Sequence, residues 1–304
     1  MPVMTPQLIH IDCPHPQGQH RMACWVWGAE SATHVLVAVH GLTRQGRDFD
    51  RLAEHLIVQA KAQGRELAVL CPDVVGRGRS DWLPVAMGYQ LPQYAADMLA
   101  LLAWRHARTP ITRLDWVGTS MGGLIGMVMA GQPQLPLPCP IARLVLNDVG
   151  PAVTWASIEL MQAYVGRFGV FPDLAAAAAA MRQISAGFGP LSDEAWLALS
   201  RPMVREVPGG VTLHYDPAIG DAVRAVTPEA AEQGQAMLWA LYDQIQARTL
   251  LIRGAESNLL TPETALEMTQ RGPRAQLVTW PGVGHAPTLT EPMQMAQVAD
   301  FLLG

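Results

Sequence analysis

Charge is scarce in this chain. Asp, Glu, Lys and Arg together make up 15% of its 304 residues, leave a formal net charge of -5 at pH 7, and nowhere gather into a long run of one sign. Such a surface excludes nucleic acid as a natural partner. Cysteine is scarce as well. Cys13, Cys24, Cys71 and Cys139 are scattered and form no C-x-x-C pair, so neither a disulfide framework nor a cysteine-rich zinc site is expected, and a reducing cytoplasm suits the composition. His10, His15 and His20 lie near Cys13, but Pro14 and Pro16 separate them and no known ligand spacing is met, so no metal is assigned there. Between Met1 and Asp12 there is no basic segment leading into an apolar stretch and a small-residue cleavage site, and export is not expected. The longest uncharged stretch, Val117 to Gln134, is interrupted by Gly118, Gly122 and Gly123, so no membrane span is expected either.

Half of the residues are hydrophobic, enough for a sizeable core in a chain of this length. Short runs of β-branched and apolar residues recur at Thr33 to Val39, Leu67 to Leu70, Leu114 to Val117, Ala142 to Leu146, Thr249 to Ile252 and Gln276 to Trp280, and these read as buried strands. Stretches of helical composition separate most of them: Asp48 to Gln63, Pro92 to Arg108, Gly122 to Ala130, Pro262 to Gln270 and Glu291 to Leu303. Alternation of this kind predicts a mainly parallel sheet covered by helices on both faces, an α/β fold. Leu8 to Asp12 and Met22 to Trp27, joined only through Pro14, Pro16 and Gly18, predict an antiparallel hairpin at the sheet edge.

The alternation stops between Pro151 and about Ile245. Helical stretches follow one another there, at Trp155 to Phe168, Leu174 to Ile184, Asp193 to Leu199 and Ala231 to Gln244. The division expected is a core of residues 1–150 and 246–304 with a helical cap of residues 151–245 inserted above the carboxyl ends of the strands, where open α/β sheets bind ligands. Its larger side chains, among them Met161, Tyr164, Phe168 and Phe188, serve either as cap core or as walls of an apolar pocket.

Gly118-Thr119-Ser120-Met121-Gly122-Gly123 is the most specific signal in the sequence. It follows an apolar strand and opens a helix, a context in which a serine on a sharp turn presents its hydroxyl above the sheet while small neighbours let the backbone pass. The helix behind it points free N–H groups at the same place. With this block the chain resembles the α/β-hydrolase family, and the resemblance extends over nearly the whole sequence. His40-Gly41-Leu42 resembles the family's HG-x turn, which implies an oxyanion hole made by the backbone N–H groups of Leu42 and Met121. Asp73 to Ser80 is similar to its D-x-x-G-x-G-x-S loop, structural in that family. Pro281-Gly282-Val283-Gly284-His285-Ala286-Pro287 stands where the family keeps its catalytic histidine, so the resemblance implies Ser120 as nucleophile and His285 as its base.

One block departs from the pattern. After the strand Thr249 to Ile252 the family commonly carries G-x-x-S-D, and this chain has Gly254-Ala255-Glu256-Ser257-Asn258. Three residues stand open for the acid's role: Asp148, at the end of the preceding strand and favoured here; Glu256; and Asn258 itself, which can orient an imidazole but cannot balance its charge. The activity expected is hydrolysis of a carboxylic ester or lactone, a small-molecule substrate, through an acyl-enzyme, with no metal or organic cofactor. C–C bond hydrolysis or acyl transfer on the same fold is an alternative, as is a binding protein that has lost turnover, for which Asn258 speaks. The oligomeric state is not legible in the sequence.

Overall fold

The computed structural model describes residues 5–304, so the first four residues of the Met1 to Asp12 stretch lie outside the described residues. An eight-stranded sheet organises the chain. It contains β1 (Gln7–His15), β2 (Gly18–Gly28), β3 (His34–Val39), β4 (Ala68–Pro72), β5 (Arg113–Thr119), β6 (Ile141–Asn147), β9 (Arg248–Gly254) and β10 (Gln276–Trp280), in the spatial order β1-β2-β4-β3-β5-β6-β9-β10. The first two strands form the expected antiparallel hairpin, and β2 pairs antiparallel with β4. The remaining pairings are parallel.

Burial on both faces explains why the central strands are mostly apolar, with Asp115 in β5 and Arg143 in β6 as charged interruptions. In β3, Val35, Val37 and Val39 point into one core with α2 (Leu91–Arg108) and α3 (Met121–Gly131), whereas Leu36 and Ala38 point into the other with α1 (Asp50–Ala62) and α10 (Pro292–Leu303). The remaining core helix, α9 (Pro262–Met268), lies between β9 and β10. This is the α/β-hydrolase architecture. No helix of the described residues is long and apolar enough to cross a membrane.

Between β6 and β9 run α4 (Trp155–Tyr164), α5 (Leu174–Ile184), α6 (Asp193–Ser200), β7 (Val204–Val207), β8 (Gly210–Leu213), α7 (Ile219–Arg224) and α8 (Pro228–Gln244). The alanine run sits inside α5, capped by Asp173, whose side chain accepts from the Ala176 N–H, as its high helix propensity requires. The sequence reading missed the antiparallel hairpin β7-β8 and the short α7. It also ran α4 on to Phe168, whereas the helix stops at Tyr164, and began α8 three residues late. Pro228 occupies the first turn of α8, and the Thr227 hydroxyl caps it by accepting from the Ala230 N–H, a start signal of the ordinary kind. A division into core and cap remains our proposal. Within it α8 is shared, because it lies against α3, where the Leu241 carbonyl abuts Gly131, and its Tyr242 hydroxyl donates to the Met268 carbonyl.

The base of the insertion is tied to the core loop Asp73 to Ser80. Arg77 bridges to Tyr215, the Gly78 N–H donates to the His214 carbonyl, and the Asp216 N–H donates to the Gly76 carbonyl.

Candidate active site

Ser120 occupies the one-residue turn between β5 and α3, with φ 51° and ψ -118°. A non-glycine residue held there costs on the order of 1–3 kcal/mol. The surroundings enforce the turn by proximity: a Cβ on Gly118 would lie 2.2 Å from the Gly122 carbonyl oxygen, and one on Gly122 would lie 2.0 Å from that of Val39. The Ser120 N–H donates to the Asn147 carbonyl at 3.0 Å, which fixes the turn against β6.

His285 arrives from the loop after β10. Its Nε2 lies 3.0 Å from Ser120 Oγ, and its Nδ1 lies 2.8 Å from Asp148 Oδ2. Asp148 has no exposed surface. It takes φ 55° just beyond β6, and its N–H donates to the Ile252 carbonyl. Its other oxygen, Oδ1, accepts from the Gly254 N–H at 2.8 Å, and Oδ2 also accepts from the Ser257 hydroxyl at 2.6 Å. The carboxylate is thus oriented on both oxygens before the imidazole is counted.

Of the three residues open for the acid's role, the structure brings Asp148 alone to the imidazole. Glu256 and Asn258 are exposed residues on the cavity rim. The Asn258 carbonyl accepts from Ser157 and Thr154 hydroxyls at the start of α4, and its side chain makes no hydrogen bond among the described residues. Sequence reasoning missed Ser257, although it belongs to the G-x-x-S-D pattern already in view. It also missed Asn147, whose amide donates to Thr119 Oγ1 and to the Pro287 carbonyl, joining the serine turn to the histidine loop.

Two backbone donors, the N–H groups of Leu42 and Met121, donate to no protein acceptor among the described residues. Their supports are buried. His40 accepts from the Val74 N–H through Nε2 at 2.9 Å, which makes Nδ1 the protonated nitrogen and lets it donate to the Gly41 carbonyl at 2.7 Å. Burial pushes the His40 imidazole down to about 3, helped by nearby Arg77 and Arg44 and opposed by the bond to Gly41. His40 is therefore a neutral spacer under the turn. Arg77, fully buried, donates from Nε to the Leu42 carbonyl at 2.8 Å and sets Nη2 3.5 Å from Met121 Sδ, so one guanidinium touches both residues whose N–H groups are in question. Asp73 accepts from the Gly46 and Arg79 N–H groups and from the Trp25 indole, which makes its loop a structural brace.

A cavity of about 500 Å³ opens over Ser120 and His285. Leu160, Met161, Ile184 and Phe188 give it apolar walls, and Tyr164 and Arg44 lead into an adjoining space of about 310 Å³ bounded also by Arg167, Phe168 and Met181. Arg44 is paired at that junction in a two-pronged ion pair, since Nε and Nη2 each lie 2.7 Å from an Asp48 oxygen. A serine within hydrogen-bond reach of an oriented imidazole, two free N–H donors and an apolar cleft form an arrangement suited to acyl transfer.

Comparison with known proteins points the same way. The model of the alpha/beta hydrolase family matches residues 36–299. A 3-hydroxybutyrate-oligomer hydrolase of Cupriavidus necator is 43% identical over 307 residues, covering 99% of each chain. Lipase LipV of Mycobacterium tuberculosis is 33% identical over 127 residues, covering 42% of this chain and 40% of that protein. Among solved structures, an alpha/beta hydrolase from Novosphingobium aromaticivorans is 32% identical, covers 99% of each chain and superposes with a TM-score of 0.80.

Proposed function

Since the chain belongs to the alpha/beta hydrolase family and is an ester-cleaving hydrolase, we propose that it hydrolyses short linear oligoesters of 3-hydroxybutyrate-like acids, with Ser120, His285 and Asp148 as its triad. The observation that carries this reading is the hydrogen-bonded line from Ser120 Oγ through His285 to Asp148, at 3.0 and 2.8 Å, on the floor of the cavity.

In that reading His285 Nε2 takes the Ser120 proton as Oγ attacks the ester carbonyl. Asp148 holds the Nδ1 proton and balances the imidazolium. The developing oxyanion is received by the N–H groups of Leu42 and Met121, each worth about 2.7–4 kcal/mol in the barrier. Collapse expels the alcohol, protonated by His285, and leaves an acyl group on Ser120. Water, deprotonated by His285, then releases the acid. Asp148 beside His285 supports turnover over a binding-only role, because the argument for lost activity rested on Asn258.

The apolar walls suit a methyl-bearing aliphatic chain, and the adjoining space leaves room for further units of it. The Cupriavidus relative acts on 3-hydroxybutyrate oligomers, so linear oligoesters are favoured over lactones. The same reading places the enzyme in the cytoplasm, where its four free cysteines would stay as thiols, acting on a small molecule rather than on nucleic acid or a membrane.

The test is release of monomer from 3-hydroxybutyrate dimer and trimer, followed by mass spectrometry, beside hydrolysis of p-nitrophenyl butyrate. Cleavage of both, abolished in Ser120→Ala together with fluorophosphonate labelling, is expected. Hydrolysis of the nitrophenyl ester without any cleavage of the oligomers would overturn the substrate, and undiminished activity of Ser120→Ala would overturn the mechanism.

A further inference from the structure

A second chemistry-bearing cluster lies on the hairpin edge of the sheet, on strands β1 and β2, which stand four and three places from β5. Cys13 in β1 and His20 in β2 are directly opposed partners in the register. Asp97, on α2, packs onto the same side. All three are buried, at 0%, 4% and 0% exposure, and a thiol sulfur, an imidazole nitrogen and a carboxylate oxygen from them all lie within 4.8 Å of one another. His15 follows Cys13 by two residues, which puts it on the same strand face, and its ring centroid is 5.6 Å from that of His20.

Hydrogen bonding accounts for this cluster only in part. His20 Nε2 lies 3.1 Å from Asp97 Oδ2, and Gln93 donates to Asp97 Oδ1 and to the Pro14 carbonyl. The Cys13 thiol has only a weak contact, 3.6 Å from the Ile11 carbonyl. His20 Nδ1 is buried with no partner at all. A buried polar atom left unpaired in a native core calls for an explanation.

We propose that Cys13, His20 and Asp97, completed by His15, bind one divalent zinc-class transition-metal ion that fastens the β1-β2 hairpin to α2. The donor set is one that zinc accepts, with bonds of about 2.0–2.3 Å that place tetrahedral ligand atoms about 3.3–3.8 Å apart. Donors already within 4.8 Å close to that spacing by side-chain adjustment alone. A thiolate with an imidazole suits zinc and its neighbours and disfavours magnesium and calcium. Charge also balances: the thiolate and the carboxylate neutralise the ion, and the neutral imidazoles add none. Burial raises both the Cys13 thiol and the Asp97 carboxyl, and each would be held in its anionic form by the metal. Binding forms the sulfur–metal bond as the thiol proton leaves to solvent. His15, half-buried at the strand end and held only to Gln17 in an exposed contact, would turn inward as the fourth ligand.

The experiment uses the full chain, stripped with a chelator and incubated with one equivalent of Zn²⁺ or Co²⁺. Native mass spectrometry should find one zinc ion per chain, the melting temperature should rise with zinc, and the cobalt form should show thiolate-to-metal charge transfer in the near ultraviolet. Cys13→Ser should lose the charge-transfer band and weaken zinc binding at least tenfold, while Cys139→Ala and Ser120→Ala keep both. If Cys13→Ser does not fold, the cobalt spectrum of the unsubstituted chain decides alone. No stoichiometric zinc, or cobalt bound without a thiolate band, would overturn the proposal.

Discussion

Replacing Asp148 by Asn probes the proposed triad at the point where the sequence left three residues open. An amide has one accepting oxygen, whereas Asp148 uses two: Oδ1 toward the Gly254 N–H, and Oδ2 toward the Ser257 hydroxyl and His285 Nδ1. If the Asn oxygen faces His285, its NH₂ group opposes the Gly254 N–H in a site without solvent. Leaving those donors unpaired costs about 1–3 kcal/mol. The favoured orientation therefore keeps the oxygen at Gly254 and turns NH₂ toward His285. The imidazole must then accept at Nδ1 and carry its proton on Nε2, where it cannot receive the Ser120 proton. Returning to the useful tautomer accounts for about 5–150-fold, and loss of the charge that balances the imidazolium brings the total toward 10³–10⁴, or about 4–5.5 kcal/mol in the barrier. The assay is kcat/KM on p-nitrophenyl butyrate, with circular dichroism melts to confirm folding. Asn258→Ala, which removes a side chain without a hydrogen bond among the described residues, should stay within about threefold. A folded Asp148→Asn within tenfold of the unsubstituted enzyme would refute the reasoning, and a 10³-fold loss in Asn258→Ala would transfer the role to that position.

Ser257→Ala removes one hydrogen bond to a buried carboxylate, worth about 1.5–3 kcal/mol, so kcat should fall roughly 10–100-fold with KM little changed; unchanged turnover would show that Gly254 alone suffices to orient Asp148. Gly122→Ala brings a methyl to 2.0 Å from a backbone oxygen that cannot yield, and should cost about 1–3 kcal/mol or more by overpacking, read as a lowered denaturant midpoint. His40, lowered from 6.5 to about 3 by burial, binds fewer protons in the folded than in the unfolded chain between those values. Its contribution is complete above pH 6.5, falls by about 2 kcal/mol on going from pH 7 to pH 5, and continues to fall toward pH 3. Asp73, raised to about 6 by burial, works in the opposite sense, so the quantity to measure is the difference in unfolding free energy between the unsubstituted protein and His40→Gln at both pH values. A pH-independent difference would contradict the assignment.

The sheet was legible because its central strands are buried on both sides, so β3 and β9 appear as apolar runs and β5 and β6 as apolar runs broken by one charged residue each, Asp115 and Arg143. The hairpin β7-β8 was not, since each arm is four residues long and its side chains range from exposed to buried without a clear alternation, and only Pro208-Gly209-Gly210 marks its turn. Ser120 and His285 announced themselves through local glycine patterns. Which carboxylate meets His285 depends on the pairing of β6 with β9 and on the positive φ of Asp148, properties of the assembled sheet rather than of any segment. Cys13, His20 and Asp97 illustrate the same limit: register explains the first two, but Asp97 lies 77 residues beyond His20 and joins them through the packing of α2 on the hairpin.

The ties between the insertion and the loop Asp73 to Ser80 bear on how substrate can enter. A rigid swing of the whole insertion would have to break the bonds of Gly76 and Gly78 to Asp216 and His214, and the strain would pass through Arg77 to Leu42 and Met121. The stretch from His214 to Asp216 is thus an anchorage, and a displacement of α4, α5 and α6 that leaves it in place would not disturb Arg77 or the Leu42 and Met121 positions it supports.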